Sequence, residues 1–334
     1  MATRLPDIGS SAWEHPTDRA ALGALQKIPG FDTVVRKVFG TLGERNIRMS
    51  YQAESLRVGP RQYPDLYRLL EQVCHTLDAE VPELYISQTP LANAGAVGVD
   101  HPFIVLNSSL VELLSPTQLT AVLGHEVGHI LSEHVLYRTL LFLLLDFARP
   151  LMPIVGQATL PITLALSEWH RKAQLSSDRA GLLAVQDLGA SLGGLAVLAG
   201  GIRGRESMID LESFADQARD HRDANGIDGY FKFMATIRRQ TPFPVVRAAE
   251  LQAWVDSGAY DEIVGGTYPR RDDDRVLSDD VVAAGRSYSE AATKVFADTE
   301  RHVTGALLTF IGGAQRLLEG DATDESDDEQ PPTP

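Results

Sequence analysis

The chain of 334 residues holds one cysteine, Cys74. Without a second thiol there is no internal disulfide and no cysteine-built zinc cluster, and a reducing compartment is the expected setting. Basic charge is also short: 30 Lys and Arg face 45 Asp and Glu, for a net charge of −15. No Lys/Arg-rich stripe stands out, so a nucleic-acid partner is excluded. Long apolar runs are missing too. The residues up to Pro16 include Arg4, Asp7, Glu14 and two prolines with no apolar stretch, so no signal peptide is expected. Within 136–167, residues 140–145 are fully apolar, but Asp146 and Arg149 follow and Pro150, Pro153 and Pro161 interrupt the rest. The longest weakly polar window there, 151–167, is about 17 residues, short of the roughly 20 that a spanning helix needs. A buried helical hairpin is the expected form of 136–167, with a membrane-touching segment as the alternative. The expected location is cytoplasmic, with membrane association through that segment left open.

What is present is 44% hydrophobic residues, enough for one sizeable core or two modest ones. The reading centres on His125-Glu126-Val127-Gly128-His129. It lies in 115–136, which reads as one helix: Ser115 can cap it, Pro116 suits its first position, and Leu119, Val122, Leu123, Val127, Ile130 and Leu131 form an apolar stripe. Histidines four apart on a helix project from one face and can reach one tetrahedral metal. The intervening glutamate is better placed to handle a metal-activated water than to bind the metal. His134, five residues past His129, falls off that face and reads as structural, as do His15, His75 and His101.

The remaining elements divide the chain into a helical layer (1–80), a central domain (81–270), a C-terminal helix (271–320) and a tail (321–334). In the first, 63–77 has a helical period, and Gly59-Pro60 marks a turn. In the second, 84–86 and 103–106 read as strands beside a small-residue strand, 92–99, giving a small antiparallel sheet next to the motif helix. The small residues of 92–99 leave room for an added peptide strand or for close packing on a helix. Residues 168–188 read as a second helix, closed by Gly189, with His170, Gln174 and Asp178 at four-residue spacing on one face. Further helices fall at 191–204, 211–221, 230–239 and from Pro244 through Arg247, Leu251 and Trp254. Residues 270–275 read as a charged linker. Residues 278–318 can form an amphipathic helix that docks back or meets a protein partner. The acidic, proline-ended tail cannot bury a core and is expected to be disordered. The fold class is α+β, mostly helical.

The motif, followed about forty residues later by Trp169-His170-Arg171-Lys172-Ala173-Gln174-Leu175-Ser176-Ser177-Asp178-Arg179-Ala180-Gly181, resembles the gluzincin metallopeptidases typified by HtpX and the CaaX prenyl protease. Asn93-Ala94 and Phe103-Ile104-Val105-Leu106 look like that family's substrate-aligning edge and the strand beside it. Thr241-Pro242-Phe243-Pro244-Val245-Val246-Arg247 resembles its later His-Pro…Arg element, and the likeness covers roughly 60–270. The resemblance implies a zinc endopeptidase in which His125 and His129 bind Zn2+, Glu126 is the catalytic base, Arg247 matches the family's arginine, and Asp178 supports a histidine ligand. A substrate peptide would lie along Asn93, Ala94, Gly95 and Ala96. Two positions depart from the pattern. The family's third ligand is a glutamate where this chain has Gln174, and its later histidine falls on Thr241. Gln174 is the expected third ligand, with His170 and then Asp178 as alternatives; Glu168 lies about 120° away around the helix. An amide is a poorer zinc ligand than a carboxylate, but three neutral ligands leave more positive charge on the metal. The expected activity is hydrolysis of peptide bonds in unfolded or membrane-associated proteins. The alternative is an inactive relative that serves as a peptide- or protein-binding scaffold.

Overall fold

A computed structural model describes residues 2–16, 18, 21, 43–98, 100–223 and 241–273, with backbone alone at 43, 142–165, 206 and 222–223. The helices expected at 230–239 and 278–318, and the tail at 321–334, lie outside the described residues.

Helix α1 (Gly43–Glu54) runs directly into the short strand β1 (Ser55–Arg57). Helix α2 (Pro64–Thr76) follows, starting on a proline, which suits the first helical turn. Three further strands come next: β2 (Leu84–Ser87), β3 (Ala94–Val97) and β4 (Phe103–Asn107). Their order in the sheet is β1-β2-β4-β3. The sheet is mixed rather than antiparallel as expected. The β3–β4 pair is an antiparallel hairpin (Ala94 opposite Leu106), but β4 lies parallel to β2 (Leu84 opposite Ile104) because the hairpin enters by its second strand. This leaves β1 and β3 as the two edge strands, with β3 the one beside the motif helix. Strand β1, antiparallel to β2, lies just before the Gly59-Pro60 turn, in residues for which no strand was expected.

After the short helix α3 (Ser108–Leu113), α4 (Pro116–Leu131) carries the histidine motif. Ser115 accepts from the Gln118 backbone N–H while the Gln118 side chain accepts from Ser115 N–H, a reciprocal cap of about 1 kcal/mol. Helix α4 stops at Leu131, short of the expected 136, because Glu133 takes a left-handed conformation (φ 56°). Helix α5 then runs from His134 to Val185, 52 residues, so its backbone is one helix where a hairpin and a separate second helix were expected. Each of the three prolines removes one backbone bond locally. Both ends of α5 are pinned in the core, by Val135–Leu141 at one side and Leu166–Ala184 at the other. It ends at Gln186, in a left-handed conformation, before Gly189. The remaining helices are α6 (Leu188–Gly200), α7 (Leu211–Asp223), α8 (Pro244–Asp256) and α9 (Ala259–Val264). Among the described residues no helix is long and apolar enough to cross a membrane.

One apolar core joins α2 (Leu66, Leu70, Val73), one sheet face (Leu84, Ile86, Ile104, Leu106), α4 (Leu119, Leu123, Val127), α5 (Leu182, Leu183) and α8 (Leu251, Trp254). The other sheet face buries Tyr85, Phe103 and Val105 under Tyr51 of α1, with edge-on ring contacts. Residues 270–273, read as a linker, are bound: Arg270 and Arg271 donate to the carbonyls of Pro6 and Asp78, and Ile8 bridges Arg270.

Candidate active site

The site forms where α4 crosses α5, and three glycines set how closely. A Cβ at Gly124 would stand 2.4 Å from the Ala184 Cβ, one at Gly128 2.4 Å from the Ala180 Cβ, and one at Gly181 2.6 Å from the Ala121 carbonyl oxygen. Only bare backbone permits that approach, and it brings the 125–129 turn against 170–178. The sequence reading had given these glycines no role.

The two motif imidazoles lie together, with ring centroids 4.8 Å apart at an interplanar angle of 78°. Each has its Nδ1 engaged. His125 Nδ1 meets Asp178 Oδ1 at 2.9 Å, and Asp178 is in turn gripped by Arg247, whose Nε donates to Oδ2 at 2.8 Å. Burial pushes the Asp178 carboxyl up, but the Arg247 guanidinium and hydrogen bonds from Arg247 and His125 outweigh it and hold the group at about 2. This places Asp178 where a ligand histidine's supporting carboxylate belongs. Arg247 acts on that carboxylate, with Nη2 also 3.4 Å from His125 Nδ1.

His129 is fully buried, and burial followed by the charges of neighbouring groups drives its pKa well below 6.5. Its Nε2 is 2.9 Å from the Gln174 amide nitrogen, which also lies 3.5 Å from His170 Nε2. Gln174 thus lies between His129 and a cavity of about 470 Å³ that His125, Glu126, His170, Gln174 and Asp178 line. Its Nε2 occupies the lone-pair direction that a cation would take at His129. Turning the amide would exchange that nitrogen for oxygen, an assignment set by the hydrogen-bond network. Among the described residues no three His, Cys, Asp or Glu side chains converge as a metal cage. The candidate donors that meet here are two imidazoles and an amide, with His170 stacked on His129 at 6.1 Å between centroids. Two neighbouring imidazoles, each with its Nδ1 engaged, one lining the polar cavity and the other reaching it through Gln174, are donors of the type a divalent cation such as zinc takes.

Glu126, between the two ligand candidates, sends Oε2 to the Ala96 backbone N–H of β3 at 2.6 Å and to Arg138 Nη1 at 3.1 Å. Arg138 also reaches the Ala94 carbonyl at 3.4 Å, lying across Gly95. In an antiparallel edge strand alternate residues turn their N–H and C=O outward. On β3 these are Ala94 and Ala96, since Asn93 accepts from Asn107 N–H on the β4 side. Two outward groups of the expected substrate strand, the Ala96 N–H and the Ala94 carbonyl, are thus capped by Glu126 and Arg138. Sequence reading missed Arg138; the available signal was a lone cation before an apolar run. Thr241 lines the same cavity. Ala96 lies over Glu126 and Gly95 over Arg138, while Asn93 and Ala94 line the cavity.

The reading of His134 as off the ligand face assumed an unbroken helix to residue 136. The left-handed turn at Glu133 swings it back, so that His134 Nδ1 lies 3.1 Å from His129 Nδ1.

A His-Glu-x-x-His helix beside an edge strand, with a second helix bringing a carboxylate to the first histidine, is the layout of a metal-dependent peptidase. The chain belongs to peptidase family M48, whose model matches residues 60–255. It is similar to the plastoglobule-localized metallopeptidase 48, chloroplastic, of Arabidopsis thaliana, 31% identical over 263 residues that cover 77% of this chain and 76% of that one. It is also similar to protease HtpX homologs of Moorella thermoacetica (35% over 85 residues, 25% of this chain and 28% of that one) and Acaryochloris marina (35% over 89 residues, 26% and 30%). The chain therefore spans under a third of those two HtpX homologs. No solved structure matches it.

Proposed function

We propose that the chain is a zinc-dependent endopeptidase acting on unfolded or membrane-associated proteins. The observation that supports this most is the Glu126 carboxylate, which accepts from the outward Ala96 N–H of the edge strand beside a motif whose two imidazoles lie 4.8 Å apart. Zinc bound by His125, His129 and the Gln174 oxygen would supply Lewis acidity toward the scissile carbonyl and the attacking water. Glu126 takes the water's proton and delivers it to the leaving amine.

A peptide that adds to β3 pairs with the Ala94 carbonyl and the Ala96 N–H. In doing so it displaces Arg138 and Glu126 Oε2 from those groups, so docking frees the base it needs. Asp178 and Arg247 hold His125 in place. Thr241 offers a neutral hydroxyl where relatives of the expected pattern carry histidine, so stabilisation of developing negative charge there is weaker. The name of the Arabidopsis relative sets that protein at plastoglobules, and we carry a lipid-surface setting to this chain on that similarity.

Gln174 and Thr241 favour a second reading, a peptide-binding scaffold without catalysis. The test pairs zinc content of the purified protein with cleavage of an unfolded protein by wild type and Glu126→Gln. Stoichiometric zinc and a 10²- to 10⁴-fold slower variant, roughly the range for losing a general base, are expected. Zinc with no Glu126-dependent cleavage overturns the enzyme and leaves the scaffold.

A further inference from the structure

His129 Nδ1 does not face a carboxylate. It faces a second imidazole, His134, whose other nitrogen, Nε2, lies 3.1 Å from Asp18 Oδ2 at an ion-pair distance, with the ring out of line for a straight hydrogen bond. All three side chains are at most 1% exposed. Asp18 comes from the N-terminal segment and is fixed there. Ser176 Oγ on α5 donates to Asp18 Oδ2 at 2.5 Å and accepts from the His15 backbone N–H at 2.8 Å, while Trp13 Nε1 donates to Ser132 Oγ at 3.1 Å. Glu133, a non-glycine residue in the left-handed region, sets His134 in place; such a conformation persists only where surrounding structure enforces it.

We infer that Asp18 and His134 are positioning residues for the metal site, acting as a two-membered relay that fixes the tautomer and direction of His129. The inference rests on the reading of His129 as a ligand. A carboxylate accepts only, so neutral His134 carries its proton on Nε2, toward Asp18. Its Nδ1 is then a bare acceptor, and the proton between the two rings resides on His129 Nδ1. That leaves His129 Nε2 with a free lone pair facing Gln174, the form a metal requires. The Gln174 amide donating to the same nitrogen agrees with this order. Asp178 performs the same service for His125 directly.

The test uses the full chain at alkaline pH, where His134 is neutral. In zinc-free protein, nitrogen NMR of labelled histidines should show His129 protonated on Nδ1 and His134 on Nε2. His129 protonated on Nε2 overturns the inference, whatever zinc does. Competition with a chromophoric chelator then gives zinc affinity. His134→Phe, which removes the acceptor, should weaken zinc by about 10–100-fold, the usual range for loss of a ligand's supporting partner. His134→Gln, whose amide oxygen can accept from His129 Nδ1, should recover much of that loss. Equal affinity for wild type and His134→Phe, or Phe and Gln variants equally weak, overturns it. If wild type itself binds no zinc, the enzyme reading fails while the NMR result still decides the relay. Should His134→Phe not fold, Asp18→Leu against Asp18→Asn makes the same comparison, with Asn expected to retain the tighter binding.

Discussion

The two imidazoles of the motif sit one helical turn apart, yet their surroundings differ in kind. His125 is steadied by a charged pair, Asp178 and Arg247, drawn from two helices that line the cavity. His129 is steadied by a sealed chain of neutral and acidic groups that ends on Asp18, far upstream in sequence. The first arrangement is anchored by α5 and α8 and depends on one strong charge. The second depends on the N-terminal segment lying in place over the junction of α4 and α5. The difference implies that the His125 side resists acid, while the His129 side answers to acid and to the N-terminal segment.

Removing the charge on the His125 side should have the larger effect. Arg247→Met leaves the Asp178 carboxylate buried without its cation, at a cost of about 3–5 kcal/mol. Urea unfolding should register that loss, and zinc affinity should fall with it as His125 loses its fixed partner. Unchanged stability and unchanged zinc affinity would mean that Asp178 is held by other groups, and the comparison would lose its charged member.

Acid should separate the two sides by a smaller amount. Burial holds His129 and His170 well below 6.5, and burial with nearby cations holds His15 at about 4. These folded-state values are depressed, so the unfolded chain takes up protons first, and stability falls as pH drops below 6.5. The slope is at most ~1.4 kcal/mol per pH unit for each such histidine. His134 works in a different range: burial lowers it, but Asp18 outweighs burial and raises it, so its contribution builds as pH falls toward 6.5 and is fully present, and constant, below that. Asp178, at about 2, stays ionised throughout and gives up its share only as pH falls from about 4 through 2. Zinc-free protein should therefore unfold at lower urea at pH 5 than at pH 7, with a further loss below pH 4. A midpoint equal at pH 5 and pH 7 would contradict the neutral, buried state of the His129 cluster.

Much of this was legible in the sequence. The 3.6-residue period from 115, the Ser115 cap and the shared face of His170, Gln174 and Asp178 follow from local chemistry and are present in the structure, though with different helix ends. The edge strand announced itself by its small residues. Where the structure differs, the deciding physics was not local. Nothing in Ser132-Glu133 marks a left-handed turn, since glutamate rarely adopts one, so the motif helix was expected to run on to 136 and the contact of His134 with His129 was not foreseen. The parallel pairing of β2 with β4 depends on which hairpin strand enters the sheet, which the apolar pattern of either strand leaves open. The prolines of 150–161 read as breaks because each removes a backbone bond, and the anchoring of both ends of α5 prevailed. Gly124, Gly128 and Gly181 show their purpose only once two helices are brought together. Arg138 was hidden by its apolar neighbours, and Asp18 by its distance along the chain.

Zinc-edge X-ray absorption of the zinc-loaded protein addresses the metal centre itself. The account predicts a shell of nitrogen and oxygen neighbours with multiple-scattering features of two imidazoles and no sulfur, since Cys74 is buried elsewhere in the core and burial pushes its thiol up to about 12. A sulfur neighbour, or a zinc shell without imidazole, would contradict it.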